Sequence, residues 1–546
     1  MTRRRSLLNL ALFAATVLPT AGCLDHPLKD VSLQSEGEII NELQVDTRRK
    51  VDILFVIDDS GSMGEEQAAL AANFSAFVEV LEDPDVDADY RIGITTTDNG
   101  HPGCWESTPE GGALQLRSCR THIDDFVFSP NTNDEIDRRE EACLETCPEA
   151  LADLTTLPSW LDPQQPGVGD ERARPWLERG RGRTNVPEGV TTAQALGCWG
   201  PQGINGCGYE SPLESMHKAL RRSSTDGEDG QGFLREDALL QVVFITDEAD
   251  CSTGPSALAA FDPDGDKTLW PDPDAARAPS AVCWNAGVSC ESTADGRTHC
   301  EPVDLGPDGS AASVGNEVLQ PIDRYLELLH EIDEAKRLIA GQDEPQVLVS
   351  VIAGVPNDYD GRPLDYDTDS SSEFAGDFGV GAGCTSDNGE AVPPVRLRAV
   401  ADAFTDEVGA NLFSICDANY RPALEAIADI LLERLRPSCI NACVRGATEI
   451  IDGDLPTCTV VHEVDGTSNA VATCLRGDDG EWVRPEGESL CVYAVTDDER
   501  HADCRVADRN VELRFIRDPN ALFGDVSAAC EISNQPYIDC PDPDQG

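Results

Sequence analysis

Five segments of this chain read as strands buried on both faces, because their apolar residues run nearly unbroken rather than alternating with polar ones: 51–58 (VDILFVID), 91–96, 241–247 (QVVFITD), 346–354 and 411–416. Helical periodicity fills the spaces between them. From about residue 63 to 81, Leu70, Phe74, Phe77, Val78 and Leu81 fall at spacings of four, seven, eight and eleven, one face of a helix. Val318, Ile322, Tyr325, Leu329 and Ile332 repeat the pattern, as do Leu424, Ile427 and Leu431. Strands alternating with helices predict an α/β fold with a doubly wound, mainly parallel sheet covered on both faces.

Three interludes are too long to be ordinary connections: 99–206, 252–315 and 355–392. Each carries cysteines and is expected to be a stapled insertion. Beyond Pro437 the character changes, with eight cysteines, alternating stretches such as CTVVHEV and VELRFI, and little helical period. Residues 437–546 are therefore expected to form a small, disulfide-rich, mostly β domain after an α/β domain at 51–436. Residues 23–50 are polar and read as an anchor and linker.

Composition narrows the partners. The 546 residues hold 101 Asp plus Glu against 41 Lys plus Arg, a net charge of −60 that repels nucleic acid and anionic lipid and favours cations. Of 21 cysteines, setting Cys23 aside leaves 21 − 1 = 20, an even number that can pair outside the reducing cytosol. The eight after Pro437 are expected to pair among themselves. The start, MTRRRSLLNLALFAATVLPTAGC, has a basic head and an apolar stretch, the layout of an export signal over residues 1–22. Its end resembles the bacterial lipobox, with Leu18 five residues before the cysteine instead of three. That resemblance implies acylation of Cys23 and a lipid anchor in the cell envelope, and Leu24 after the cysteine favours the outer membrane.

Two strand ends carry the candidate chemistry. VDILFVIDDSGSMGEE places Asp58, Ser60 and Ser62 at alternate positions directly after a buried strand and before a helix, and QVVFITDEADCS ends a second buried strand at Asp247. Together they resemble the von Willebrand factor type A domain, whose DxSxS motif forms a metal-ion-dependent adhesion site at the carboxyl edge of the sheet. The resemblance implies one Mg²⁺ or Ca²⁺ held by Asp58, Ser60, Ser62 and Asp247, since hard cations take oxygen donors. It also implies a protein or glycan partner, offering an acidic group to the cation, that is bound without catalysis. One departure is visible. Where the family supplies a threonine, GCGYESPLESMHKAL has Cys207, a poor ligand for Mg²⁺, expected to be bridged with Cys198 as a candidate partner. Glu210, three residues on, is the substitute ligand. A carboxylate there makes the site more anionic and the cation less receptive to an acidic ligand.

Other chemistry is excluded or weaker. Asp247-Glu248-Ala249-Asp250 spells the acidic signature of a helicase ATPase, but the chain has no Gly-Lys pair for a phosphate loop. HExxH and GxSxG are absent. FDPDGDK (261–267) spaces three aspartates like a calcium loop, yet Lys267 stands at the glycine position, and a solvated acidic loop is the better reading. The alternatives to adhesion are a structural envelope protein whose metal only stabilises the fold, and a hydrolase within an insertion.

Overall fold

The computed structural model describes residues 40–44 and 50–540, less several short internal stretches of which 160–171 is the longest. Cys23 and the expected leader lie outside the described residues.

Each predicted strand forms within two residues of its expected ends. In order across the sheet they are Leu412–Ser414, Val347–Ala353, Leu239–Ile245, Lys50–Ile57 and Asp89–Thr96, all parallel. Side chains of the Lys50–Ile57 strand alternate between two apolar layers. Val51, Ile53, Phe55 and Ile57 enter the layer beneath the Gly64–Leu81, Thr192–Trp199 and Arg421–Arg434 helices, where Phe55 meets Phe74 and Phe77 edge-to-face at 5.5 and 5.6 Å. Leu54 and Val56 enter the other, beneath Pro212–Ser223, Ile322–Ala340 and Val395–Asp402. Burial on both faces is why the sequence shows runs instead of alternation. The exception within the strand is Asp52, fully buried and neutralised by Arg235, whose Nε lies 2.8 Å from Asp52 Oδ1 while a second guanidinium nitrogen reaches Asp89 at 2.5 Å.

The fold departs from the sequence reading in four places. Residues 99–206 are not all insertion: Trp176–Gly180 and Arg183–Thr184 extend the central sheet beyond Asp89–Thr96 as antiparallel strands. The second amphipathic helix begins at Ile322, not near Val318. Pro321 biases the preceding residue towards an extended conformation, and Val318, though buried, exchanges backbone hydrogen bonds with Leu305 and Gly254. Ile40–Gln44, read as linker, pairs antiparallel with Asp525–Glu531. The expected Cys198–Cys207 pairing does not occur: Cys207 bridges Cys104, and Cys198 bridges Cys147. Cys198 faces the apolar layer from its helix, whereas Cys207 sits on a loop at the sheet rim, so the two thiols point into different environments.

All twenty cysteines from Cys104 to Cys540 are paired, the signature of a chain that folds in an oxidising compartment. The eight after residue 437 pair among themselves as 439–504, 443–540, 458–530 and 474–491. That region is mostly β and has its own apolar cluster, including Val460, Val492, Leu513 and Ala528. Among the described residues no helix is long and apolar enough to cross a membrane.

Candidate metal centre

Strand order reverses between Lys50–Ile57 and Leu239–Ile245: the chain leaves the first for Asp89–Thr96 on one side and returns on the other. Such a reversal leaves a crevice outside the carboxyl ends of the two strands, where open α/β sheets bind ligands. Asp58 and Asp247 stand at that crevice, and Asp58 N–H donates to Ile245 O across it at 2.9 Å.

The four residues named from the two strand ends meet here. Asp58, with no exposure, accepts from Ser60 N–H (2.8 Å) and Thr97 Oγ1 (3.4 Å) on Oδ1, and from Thr246 Oγ1 (2.5 Å) on Oδ2. Ser60 Oγ lies 3.2 Å from Ser62 Oγ, and Ser62 is near enough to Asp247 to oppose the upward shift of its carboxyl. The alternate spacing thus lets one tight turn bring an acid and two hydroxyls to a single point. Asp247 Oδ1 is buried without a hydrogen-bond partner.

Glu210 arrives from the loop that leads into the Pro212–Ser223 helix. Its side chain is 1% exposed and neither carboxyl oxygen has a donor. Glu248 lies near it and, after burial, is the first influence holding the Glu210 carboxyl upward. The loop is fixed by the Cys104–Cys207 bridge, by Gly206 N–H to Asp59 O (2.8 Å), by Cys251 N–H to Glu210 O (2.6 Å) and by Ser211 N–H to Thr97 O (3.0 Å). At Gly206 the approach is close, since a Cβ there would fall 2.4 Å from the Asp59 carboxyl carbon.

Burial is the leading influence on every acid in the group and pushes each upward. Asp247 is raised well above the usual carboxylate range by burial and then by Asp58 and Glu248, and Glu210 by burial and then by Glu248 and Asp58. Asp58 is raised too, with its hydroxyl and backbone donors opposing the shift. Glu248 and Glu66, pushed up by burial first, each reach about 7. No cationic side chain figures among the leading influences on Asp58, Asp247, Glu210 or Glu248.

Sequence reasoning missed the residue that holds this arrangement together. Gln67, 1% exposed, donates from Nε2 to Asp58 O (2.8 Å) and Gly203 O (2.6 Å), and accepts on Oε1 from Gln202 N–H (2.8 Å) and Gly203 N–H (3.1 Å). A signal existed, because position 67 lies on the apolar stripe three residues before Leu70. Thr97 and Thr246, which position Asp58, had no such signal.

Among the described residues, no group of three or more His, Cys, Asp or Glu side chains closes into a metal-binding cluster. The donors at the crevice are instead mixed, with serine hydroxyls beside carboxylates. The unpartnered buried oxygen of Asp247, at the strand end next to the turn that carries Ser60 and Ser62, suits a hard divalent cation, because an anionic oxygen removed from water must be compensated. At the other acidic stretch, Lys267 adopts φ 51°, and its Nζ donates to Pro273 O (2.9 Å) and Ala275 O (3.0 Å). That loop is closed by its own ammonium group.

No protein-family model matches the chain, and no curated protein matches it. Among solved structures, the pilus adhesin SpaC from Lactobacillus rhamnosus GG in its open conformation is 8% identical, with a TM-score of 0.27 over 88% of this chain and 38% of that one. The pilus adhesin RrgA from Streptococcus pneumoniae is 10% identical, with a TM-score of 0.26 over 89% of this chain and 57% of that one. The adhesive tip pilin GBS104 from Group B Streptococcus agalactiae is 11% identical, with a TM-score of 0.23 over 71% of this chain and all of that one. The chain thus spans well under two thirds of the length of the first two, and likeness at these scores carries no functional argument.

Proposed function

We propose that residues 51–436 form a von Willebrand factor type A domain that binds a protein or glycan partner, without catalysis, through one Mg²⁺ or Ca²⁺. Asp58, Ser60, Ser62, Asp247 and Glu210 would hold the cation. The chemistry it supplies is an open coordination position for an oxygen of the partner. The observation that carries this reading is the turn that brings Asp58 and two serine hydroxyls together at the switch point of the sheet, where Asp247 ends the neighbouring strand with a buried, unpartnered carboxyl oxygen. The chain is further proposed to be exported and lipid-anchored through Cys23, which mass spectrometry of the mature terminus tests directly.

Calorimetric titration of Mg²⁺ and Ca²⁺ into the wild type and Asp58→Asn tests the site. The isosteric amide keeps the packing of a fully buried side chain but loses the anionic charge, and cation affinity is expected to drop at least about tenfold. Equal affinities for the two proteins would sink the assignment. Capture of partners from envelope extract, with and without chelator, then separates adhesion from a cation that only stabilises the fold. Adhesion predicts partners lost on chelation from a protein that is still folded.

A further inference from the structure

Two glycines beside the candidate site have no backbone reason to be glycine. Gly61 lies between Ser60 and Ser62, Gly64 opens the Gly64–Leu81 helix, and neither has a positive φ. What requires them is a close approach. A Cβ on Gly61 would fall 2.8 Å from Phe128 Cγ and nearer still to Cδ1 and Cε1, and one on Gly64 would fall 3.0 Å from Arg138 Cδ and nearer to Cγ. The half-buried Phe128 ring therefore takes the place of the side chain that residue 61 lacks.

Both visiting side chains belong to one hairpin, Val127–Asn131 with Asp134–Asp137, whose second strand Arg138 follows directly. Phe128 pairs with Ile136 and Asn131 with Asp134, so the first strand carries one extra residue between these pairs, a bulge of the kind that re-aims a side chain. The base of the hairpin is fixed. Arg138 N–H donates to Phe126 O (2.9 Å), Ile204 N–H donates to Asp125 O (2.7 Å), and the Arg138 guanidinium pairs with Glu65 in the helix's first turn and with Glu141 at 3.0 Å.

Glycine is the loosest joint a backbone offers. The dihedrals of Gly61 set where the Ser62 hydroxyl lies relative to that of Ser60, 3.2 Å away, and Ser62 itself is exposed, so the ring is what packs on that joint. We propose, resting on the cation site above, that Phe128 is a positioning residue of that site: its ring, seated on Gly61, holds the Ser60 and Ser62 hydroxyls at one point.

The test uses the full disulfide-bonded chain as wild type, Phe128→Ala, Phe128→Leu, Gly61→Ala and the double variant Gly61→Ala/Phe128→Ala, with folding checked by circular dichroism and stability by urea denaturation. Ca²⁺ and Mg²⁺ are titrated into each by calorimetry. Phe128→Ala is expected to bind about tenfold more weakly, and Phe128→Leu, which keeps a packing group on the glycine, to lose less than about threefold. Gly61→Ala, whose methyl group collides with the ring, should lose about tenfold or more, and the double variant, with the ring gone, should bind more tightly than Gly61→Ala alone. If Gly61→Ala does not fold, recovery of fold and binding in the double variant replaces that comparison. Wild-type cation affinity in Phe128→Ala, whatever its stability, reduces the ring to packing and overturns the inference with the cation site intact. A double variant that recovers nothing over Gly61→Ala does the same. A wild type that takes up neither cation overturns the site itself, and this role with it.

Discussion

Replacing Gln67 by leucine keeps the volume of a buried side chain and removes all four of its hydrogen bonds. The groups left behind are Asp58 O, Gly203 O, Gln202 N–H and Gly203 N–H, each now bonded at 2.6–3.1 Å. An orphaned buried polar group costs about 1–3 kcal/mol, so four would cost about 4–12 kcal/mol if nothing relaxed. Local adjustment trims this, and a net loss of about 3–5 kcal/mol is expected. Gln67→Ala should cost less, although it removes more atoms, because the vacated space can admit a water with several polar partners to satisfy. The inverted order of leucine and alanine is the diagnostic. Urea denaturation with disulfides intact and chelator present reads the stability, and Ca²⁺ calorimetry reads the site. Cation affinity should fall in both variants, since Gln67 ties the strand end bearing Asp58 to the segment that leads into the Glu210 loop. A leucine variant within about 1 kcal/mol of wild type, or more stable than the alanine variant, would refute the clamp.

Replacing Cys104 and Cys207 together by serine opens a bridge spanning 103 residues and should cost about 2–5 kcal/mol in the same denaturation assay. It should also weaken cation binding, and an unchanged cation affinity would mean that the bridge does not position Glu210. His101 is buried against Tyr209 at 4.2 Å, accepts Gly103 N–H on Nδ1, and is held by burial at about 4, below its ordinary 6.5. The folded state therefore resists protonation, so this contribution to stability is complete above pH 6.5 and is lost as pH falls towards 4. The stability difference between wild type and His101→Asn should shrink or reverse by up to about 3 kcal/mol across that window, and a difference independent of pH would contradict it.

The centre of the fold was legible because its signals are local. A strand such as VDILFVI, covered on both faces, must be apolar at every position, and Asp58 and Asp247 announce themselves by ending such runs. The antiparallel Trp176–Gly180 strand was not legible, for it is short, lies at the sheet edge and sits among cysteines that drew attention to bridges instead. Disulfide partners were hidden for a different reason. Parity fixes how many pairs form but not which, and the environments that separate Cys198 from Cys207 arise only after the rim loop and the helix have packed. Glu248 was visible in the sequence, yet its meaning depends on lying near Glu210, 38 positions earlier in the chain, where each burdens the other's charge.

The pairing of Ile40–Gln44 with Asp525–Glu531 has a consequence in time. Ile40 lies opposite Glu531, 531 − 40 = 491 residues later, so the first described strand waits unpaired until nearly the whole chain has been made and delivered. Every other element of the α/β part can settle beforehand. The late strand also carries Cys530, the partner of Cys458, and lies against Cys458–Val464 on its other side. A chain that stops short of residue 525 would therefore carry free thiols at Cys443 and Cys458 and bare strand edges at both Ile40–Gln44 and Cys458–Val464, features by which an oxidising compartment's folding machinery tells unfinished molecules from finished ones.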